Sequence, residues 1–178
     1  MEQKEKIRID IQKAISKMTK IQIHKKSFYV MQKILLHPKI VKAKTVFIYL
    51  AKPQEVQTKD IIWNLLKSGK NIVVPKMAWN RQINPIQITE TSKFALGAFK
   101  IPEPIETKQY DGKIDVIIVP WVAFSEKWER LGHWGGFYDT WIQNNRDVYS
   151  IWICFDVQVL WEVPMDTHDM SMNEIVYS

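Results

Sequence analysis

The hydrophobic positions of this chain follow two rhythms that alternate from end to end. Ile7, Ile11, Ile15 and Met18 recur at helical spacing on a lysine-rich background, which predicts an amphipathic first helix over residues 3–18. Lys4 and Arg8 then stand four apart on one face and can reach one ligand together. A second helix is predicted from Ser27, a suitable N-cap, to Leu36, with His37 and Pro38 ending it. The uninterrupted apolar run TVFIYL reads as a buried strand, followed by a loop through Pro53 and Glu55. Thr58 is placed to cap a third helix, TKDIIWNLLKSG, in which Ile61, Ile62, Leu65 and Leu66 face a sheet and Gly69 stands at the stop.

NIVVP, IDVIIVP and IWICF supply three further short apolar runs. Alternating with helices, such runs predict an α/β fold: a three-layer, open, mostly parallel, Rossmann-like sheet with helices on both faces. Residues 78–113 are less regular and predict short strands and loops. With no repeat, linker or low-complexity stretch, the 178 residues form one domain, 1–178. Ligands of open α/β sheets bind beyond the C-terminal strand ends. That places the loops after Tyr49, Pro75, Pro120 and Phe155 on one rim, with Glu55, Lys76 and the Asp156 region near one cleft.

Composition changes this picture little: 46% hydrophobic and 25% charged residues are ordinary for a folded globule. No apolar run approaches a membrane span, and the lysine-rich start lacks the apolar segment of a signal peptide, so a cytoplasmic protein with no membrane partner is expected. The single cysteine, Cys154 in YSIWICF, excludes a disulfide framework and a cysteine zinc cluster and reads as a buried strand thiol. Charge is more telling. Residues 1–44 hold twelve Lys or Arg against Glu2, Glu5 and Asp10, a net +9 in a chain of +6, which leaves −3 for the remainder. A basic end suits nucleic acid, yet no nucleic-acid signature is present, and anionic small ligands fit it equally well.

The segment from Val119 to Asp139, VPWVAFSEKWERLGHWGGFYD, joins a buried strand to a helix through a loop with three glycines and an arginine. Gly132, Gly135 and Gly136 leave backbone N–H groups unobstructed and permit positive φ, so successive amides can converge on one anion beside the helix dipole. Arg130 can add a bidentate contact. The string is neither the phosphate loop GxxxxGK[ST] nor the dinucleotide fingerprint GxGxxG.

Its flanks resemble the 5-formyltetrahydrofolate cyclo-ligase (methenyltetrahydrofolate synthetase) family, whose members carry a segment close to PGxAFDxxGxRLGxGGGYYDR. The matches are Pro120, Ala123, Phe124, Arg130, Leu131, Gly132, Gly135, Gly136, Phe137, Tyr138 and Asp139. Further family-like pieces follow in order: Lys4 with Arg8, Tyr49, EVQT at Glu55 to Thr58, GKNIVVPK at Gly69 to Lys76, IPEP at Ile101 to Pro104, DVQ at Asp156 to Gln158, and VPMDTHD at Val163 to Asp169.

The resemblance implies ATP-dependent cyclisation of 5-formyltetrahydrofolate to 5,10-methenyltetrahydrofolate, with ADP and phosphate released after phosphorylation of the formyl oxygen. It further implies that Lys4, Arg8 and the stretch Arg130, Leu131, Gly132, His133, Trp134, Gly135, Gly136, Phe137 and Tyr138 hold the nucleotide, with Arg130 and Tyr138 at the chemistry. Leu50, Glu55, His133, Trp134, Gly135, Gly136 and Phe137 would contact the folate, and Asp139 and Asp169 would hold Mg²⁺. The implied partners are ATP as co-substrate and a reduced folate, polyglutamylated forms included, taken by a monomer without nucleic acid. A catalytically silent nucleotide-binding relative and a basic nucleic-acid-binding module are the alternatives.

Several departures from the family fall on glycine positions. Trp128, Trp134 and Trp152, together with Trp121, stand where the family has glycine, although it also accepts other residues at the last. Ser125 replaces its Asp and Thr140 its Arg. Average usage of about 7% predicts roughly 12 glycines in a chain of this length, whereas this one has 6, with 8 tryptophans. One reading is that several of these tryptophans are glycines in the living protein, encoded by UGA in a lineage that reads it as Gly; the other is divergence towards a weak enzyme. UGG codons at Trp128, Trp134 and Trp152 would sink the first.

Overall fold

The computed structural model describes residues 2–78, 82–97, 101–125, 130–132, 137–164 and 173–178, with the Arg130 side chain outside the description. Helix α1 (Glu2–Ser16) carries Ile11 and Ile15 inward, as the spacing predicts. Helix α2 (Lys20–Leu36) starts well before the predicted Ser27, because Thr19 and Gln22 form a capping box: the Thr19 side chain accepts the Gln22 N–H and the Gln22 side chain accepts the Thr19 N–H. Ser27 is a buried mid-helix residue whose hydroxyl accepts the N–H of Gln57. His37 and Pro38 end α2 and begin a short helix, α3 (Pro38–Lys42), absent from the sequence reading.

Strand β1 (Thr45–Ile48), helix α4 (Lys59–Lys67) and strand β2 (Asn71–Met77) follow. Gly69 ends α4 with φ +79, a left-handed conformation that residues with a Cβ resist. Thr58 occupies the α4 N-cap position but makes no capping bond, since its hydroxyl donates to the Tyr49 carbonyl instead. The irregular section forms β3 (Ile83–Ile88) and the small hairpin β4 (Phe94–Leu96) with β5 (Pro102–Pro104). Beyond it lie β6 (Val116–Pro120), β7 (Ala123–Ser125), β8 (Arg130–Leu131), helix α5 (Phe137–Asn144), β9 (Tyr149–Cys154), a single 3-10 turn (Asp156–Gln158), β10 (Val159–Leu160) and β11 (Glu174–Tyr177).

The main sheet has the order β11-β9-β6-β1-β2-β3, parallel throughout except for the antiparallel edge strand β3. Its four inner strands, β1, β2, β6 and β9, are largely buried on both faces, which is why they read as continuous apolar runs. Val46, Ile48, Ile72, Val74, Ile118 and Ile151 meet the apolar stripes of α1, α2 and α4 on one side. Phe47, Val73, Ile117, Val119 and Trp152 point to the other, where α5 supplies Ile142. Helices share that second side with a three-stranded sheet, β10-β7-β8, so the predicted all-helical outer layer is replaced in part by strands. Chain order reverses between β1 and β6, which makes the crevice beyond their C-terminal ends the topological switch point. Among the described residues, no helix is long and apolar enough to cross a membrane.

Candidate active site

The loop after β1 is fastened at both ends by hydrogen bonds from its own sequence. The Tyr49 hydroxyl donates to the Val56 carbonyl at 2.8 Å, and Thr58 Oγ1 donates to the Tyr49 carbonyl at 2.8 Å. Gln57 Nε2 closes the loop by donating to the carbonyls of Lys52 and Glu55 at 2.8 and 2.7 Å. Glu55 is held inside this frame, where its Oε2 accepts the Lys52 N–H at 2.8 Å. Burial holds the Glu55 carboxyl above its ordinary value, while the Lys52 N–H and ammonium pull the other way. The enclosed phenols of Tyr49 and Tyr138 are pushed up first by burial and then by the charge of Glu55, so both stay protonated at neutral pH.

Glu55 opens onto a cleft of about 610 Å³ whose walls include Arg8, Gln12, Lys52, Trp121 and Gln158. The predicted meeting of Glu55 with Arg8 is thus observed, at the switch point. Arg8 donates from Nε to the Gly132 carbonyl at 3.1 Å and pairs with Glu5 at 3.4 Å. It therefore grips the start of the glycine loop as well as lending charge. Leu50 lies apart from Glu55, lining an adjoining, mainly apolar cleft of about 710 Å³ with Thr58, Trp63, Phe94 and Pro102. Lys76, expected at the cleft, is instead engaged by the carbonyls of Pro104, Ile105 and Glu106 and pins the β4–β5 hairpin to the sheet.

Strand β6 does not run directly into the glycine loop. The chain first turns at Trp121 and Val122 into the β7–β8 hairpin, in which Leu131 is buried and pairs with Ala123. Gly132 follows. Its backbone is not in the left-handed region, so the expectation of positive φ does not hold there. Glycine is required because a Cβ would come within 2.9 Å of Cζ3 of the Trp121 indole. Phe137, Tyr138 and Asp139 form the first turn of α5, a place where a carboxylate is favoured by the helix dipole. His133, Trp134, Gly135, Gly136 and Asp169 lie outside the described residues, as does Trp128. Trp121 and Trp152 are buried ring to ring, their centroids 5.6 Å apart, with Phe124 4.5 Å from Trp152. Cys154 is the buried strand thiol expected, pushed up by burial and by nearby Asp156.

Gln158 and Lys52 were missed as cleft residues. The DVQ string singled out Gln158 without a role, and the partner that reveals one is far away in sequence. Among the described residues, no three His, Cys, Asp or Glu form a metal-holding cluster. Asp139, in the first turn of α5, is an oxygen donor of the type that binds a hard ion together with phosphate oxygens, the usual manner for Mg²⁺.

Comparison with known proteins bears on the family and the fold. The model of the 5-formyltetrahydrofolate cyclo-ligase family matches residues 1–178. A probable 5-formyltetrahydrofolate cyclo-ligase of Schizosaccharomyces pombe is 30% identical over 191 residues, covering 97% of this chain and 94% of that protein. The 5-formyltetrahydrofolate cyclo-ligase of Mus musculus is 27% identical, covering 86% and 82%. The NMR structure of 5,10-methenyltetrahydrofolate synthetase from Aquifex aeolicus superposes with a TM-score of 0.84 at 25% identity, covering 98% of this chain and 89% of that one. With its parallel sheet, its switch-point cleft and a match along its whole length, this chain belongs to the 5-formyltetrahydrofolate cyclo-ligase family.

Proposed function

We propose that the cleft between the β1 loop and the glycine loop phosphorylates the formyl oxygen of 5-formyltetrahydrofolate and then closes the ring. As a family member the chain is an ATP-dependent ligase, and the family reaction is cyclisation to 5,10-methenyltetrahydrofolate. An N-formyl group is an amide whose oxygen leaves poorly. Transfer of the γ-phosphoryl group of ATP to that oxygen gives an imidate phosphate and ADP; attack by N10, which gives up its proton, then expels inorganic phosphate and leaves the methenyl bridge. No side-chain nucleophile is needed, so the protein's work is alignment and charge neutralisation.

The observation that carries this reading is the half-buried Glu55 carboxyl sharing one cleft with Arg8 at the switch point. Glu55 accepts hydrogen bonds from pterin N–H groups, and Leu50 packs against the folate from the adjoining cleft. Lys4, Arg8 and the amides from Gly132 to Phe137, with His133 and Trp134 among them, hold the nucleotide. Arg130 neutralises the moving phosphoryl group, and the protonated Tyr138 donates a hydrogen bond beside it. Asp139 and Asp169 would hold Mg²⁺, whose chemistry is to neutralise phosphate oxygens during transfer. The substrates are ATP and a reduced folate with its glutamate tail, and the enzyme works as a cytoplasmic monomer.

The test is formation of methenyltetrahydrofolate, followed by absorbance, from 5-formyltetrahydrofolate and Mg-ATP. Turnover that requires ATP and falls in Glu55→Gln through a higher KM for folate is expected. Binding of neither substrate by the purified chain would overturn the reading.

A further inference from the structure

We infer that Gln158 is a positioning residue that fixes the nucleotide-binding loop relative to the folate end of the cleft. This rests on the nucleotide reading of the glycine loop given above. Gln158 is buried in the 3-10 turn after β9, and all of its amide is in use. Its Oε1 accepts the Phe155 N–H at 2.9 Å, and its Nε2 donates to the carbonyls of Trp121 and Val122 at 2.6 and 3.1 Å. One end faces an N–H and the other faces two carbonyls, so the orientation of the amide is determined. Glutamate has no donors for those carbonyls, and lysine has no acceptor for the N–H.

The two carbonyls belong to the corner through which β6 enters the β7–β8 hairpin, and that corner sets where the glycine loop begins. The Val122 N–H donates to the Leu131 carbonyl at 3.1 Å. The Trp121 ring packs against Gly132 so closely that no Cβ fits between them. The Gly132 carbonyl in turn receives Arg8. A single side chain at the end of β9 thus locks the corner on which Gly132 and Arg8 both depend. Release of that corner shifts Gly132, where the loop begins, and leaves the β1 loop with Glu55, which hangs from Tyr49 and Thr58, in place.

The experiment compares steady-state kinetics of the parent, Gln158→Met and Gln158→Glu. The control is Thr45→Val, which removes a buried hydroxyl bonded to Tyr110 and distant from the cleft. Gln158→Met is expected to raise the KM for MgATP about tenfold or more and to lower kcat, with a several-fold smaller rise in the KM for 5-formyltetrahydrofolate, which keeps its Glu55 contact although it shares the loop. Amide exchange at Val122 should accelerate in the same variant, a readout independent of turnover. Thr45→Val should show neither effect. Should Gln158→Met fail to fold, Gln158→Glu serves: protonation restores one donor, so its KM for MgATP relative to the parent should improve as pH falls. Parallel changes in both KM values, or unchanged exchange at Val122, would overturn the assignment. A parent inactive with Mg-ATP would instead overturn the proposed function and leave the exchange result to decide the role of Gln158.

Discussion

At the scale of single residues, function and stability conflict most openly at Glu55. Its carboxyl is enclosed where burial favours the neutral form, yet a pterin edge, its proposed partner, is best met by a charged acceptor. An unfolded glutamate releases its proton near pH 4.3, whereas the folded protein holds this one to higher pH. The stability contributed by Glu55 is therefore complete below the unfolded value and is lost as pH rises through the folded one. Glu55→Gln should accordingly melt above the parent at pH 7–8, with the difference closing towards pH 4, in a calorimetric pH series. Replacing hydrogen bonds to a charged group, worth about 1.5–3 kcal/mol each, by neutral ones should raise the folate KM roughly 10- to 100-fold in the same variant. Trp152 presents the opposite case, a residue whose whole role on view is packing, 1% exposed between Trp121 and Phe124. In the chain as written Trp152→Gly should cost about 3–5 kcal/mol in denaturant unfolding, the range for emptying a large core site. A glycine form as stable as the parent would show that glycine is the native residue there.

At the scale of elements, the glycine loop concentrates the proposed chemistry and several of the departures from the family. Its described parts are the β8 strand, Gly132 against Trp121, and α5 with Asp139 in its first turn. Trp134 falls between them in sequence. An indole at that point must occupy phosphate or folate volume or turn away to solvent, and a misplacement of about 1 Å can cost on the order of 100-fold in rate. Trp134→Gly is therefore expected to raise ATP-dependent cyclisation at least about tenfold over the sequence as written, and Trp128→Gly added to it should help further. Equal activity in parent and variant would show that the loop accommodates the indole. Helix α2 makes a quieter point. Its true start was written in the sequence as Thr19 and Gln22, the spacing of a capping box, while Ser27 drew attention only because serine is a common cap.

At the scale of the whole molecule, charge and topology act together. The basic first 44 residues form α1 to α3, and some of their lysines have structural work: Lys26 pairs with Asp156 at 2.6 Å, Lys33 donates to the Tyr177 carbonyl, and Lys39 lies over the Tyr149 ring. Most of the remaining excess lies on α2 and α3 rather than on α1, and it gives this end of the molecule a basic surface of the kind that draws anions such as ATP and a glutamate tail. Raising salt from about 0.05 to about 0.5 M shortens the screening length severalfold and should raise the KM for MgATP severalfold with little change in kcat, measured in the absorbance assay.

Much of the fold was legible because burial on both faces leaves a direct trace: TVFI, NIVV, VIIV and SIWIC are apolar without interruption, and each is a central strand. Local chemistry was legible too, from the stop at Gly69 to the rim position of Glu55. What the sequence could not determine depends on contacts between distant segments. The second small sheet, the separate clefts of Leu50 and Glu55, and the capture of Lys76 by the hairpin carbonyls have no signature within a window of neighbours. Gln158 is the plainest instance: its partners Trp121 and Val122 stand 37 and 36 residues away, and only closure of the sheet brings that amide to those carbonyls. A chain's own pattern records what each segment must hide from water, whereas which polar group meets which is decided only when the segments are packed together.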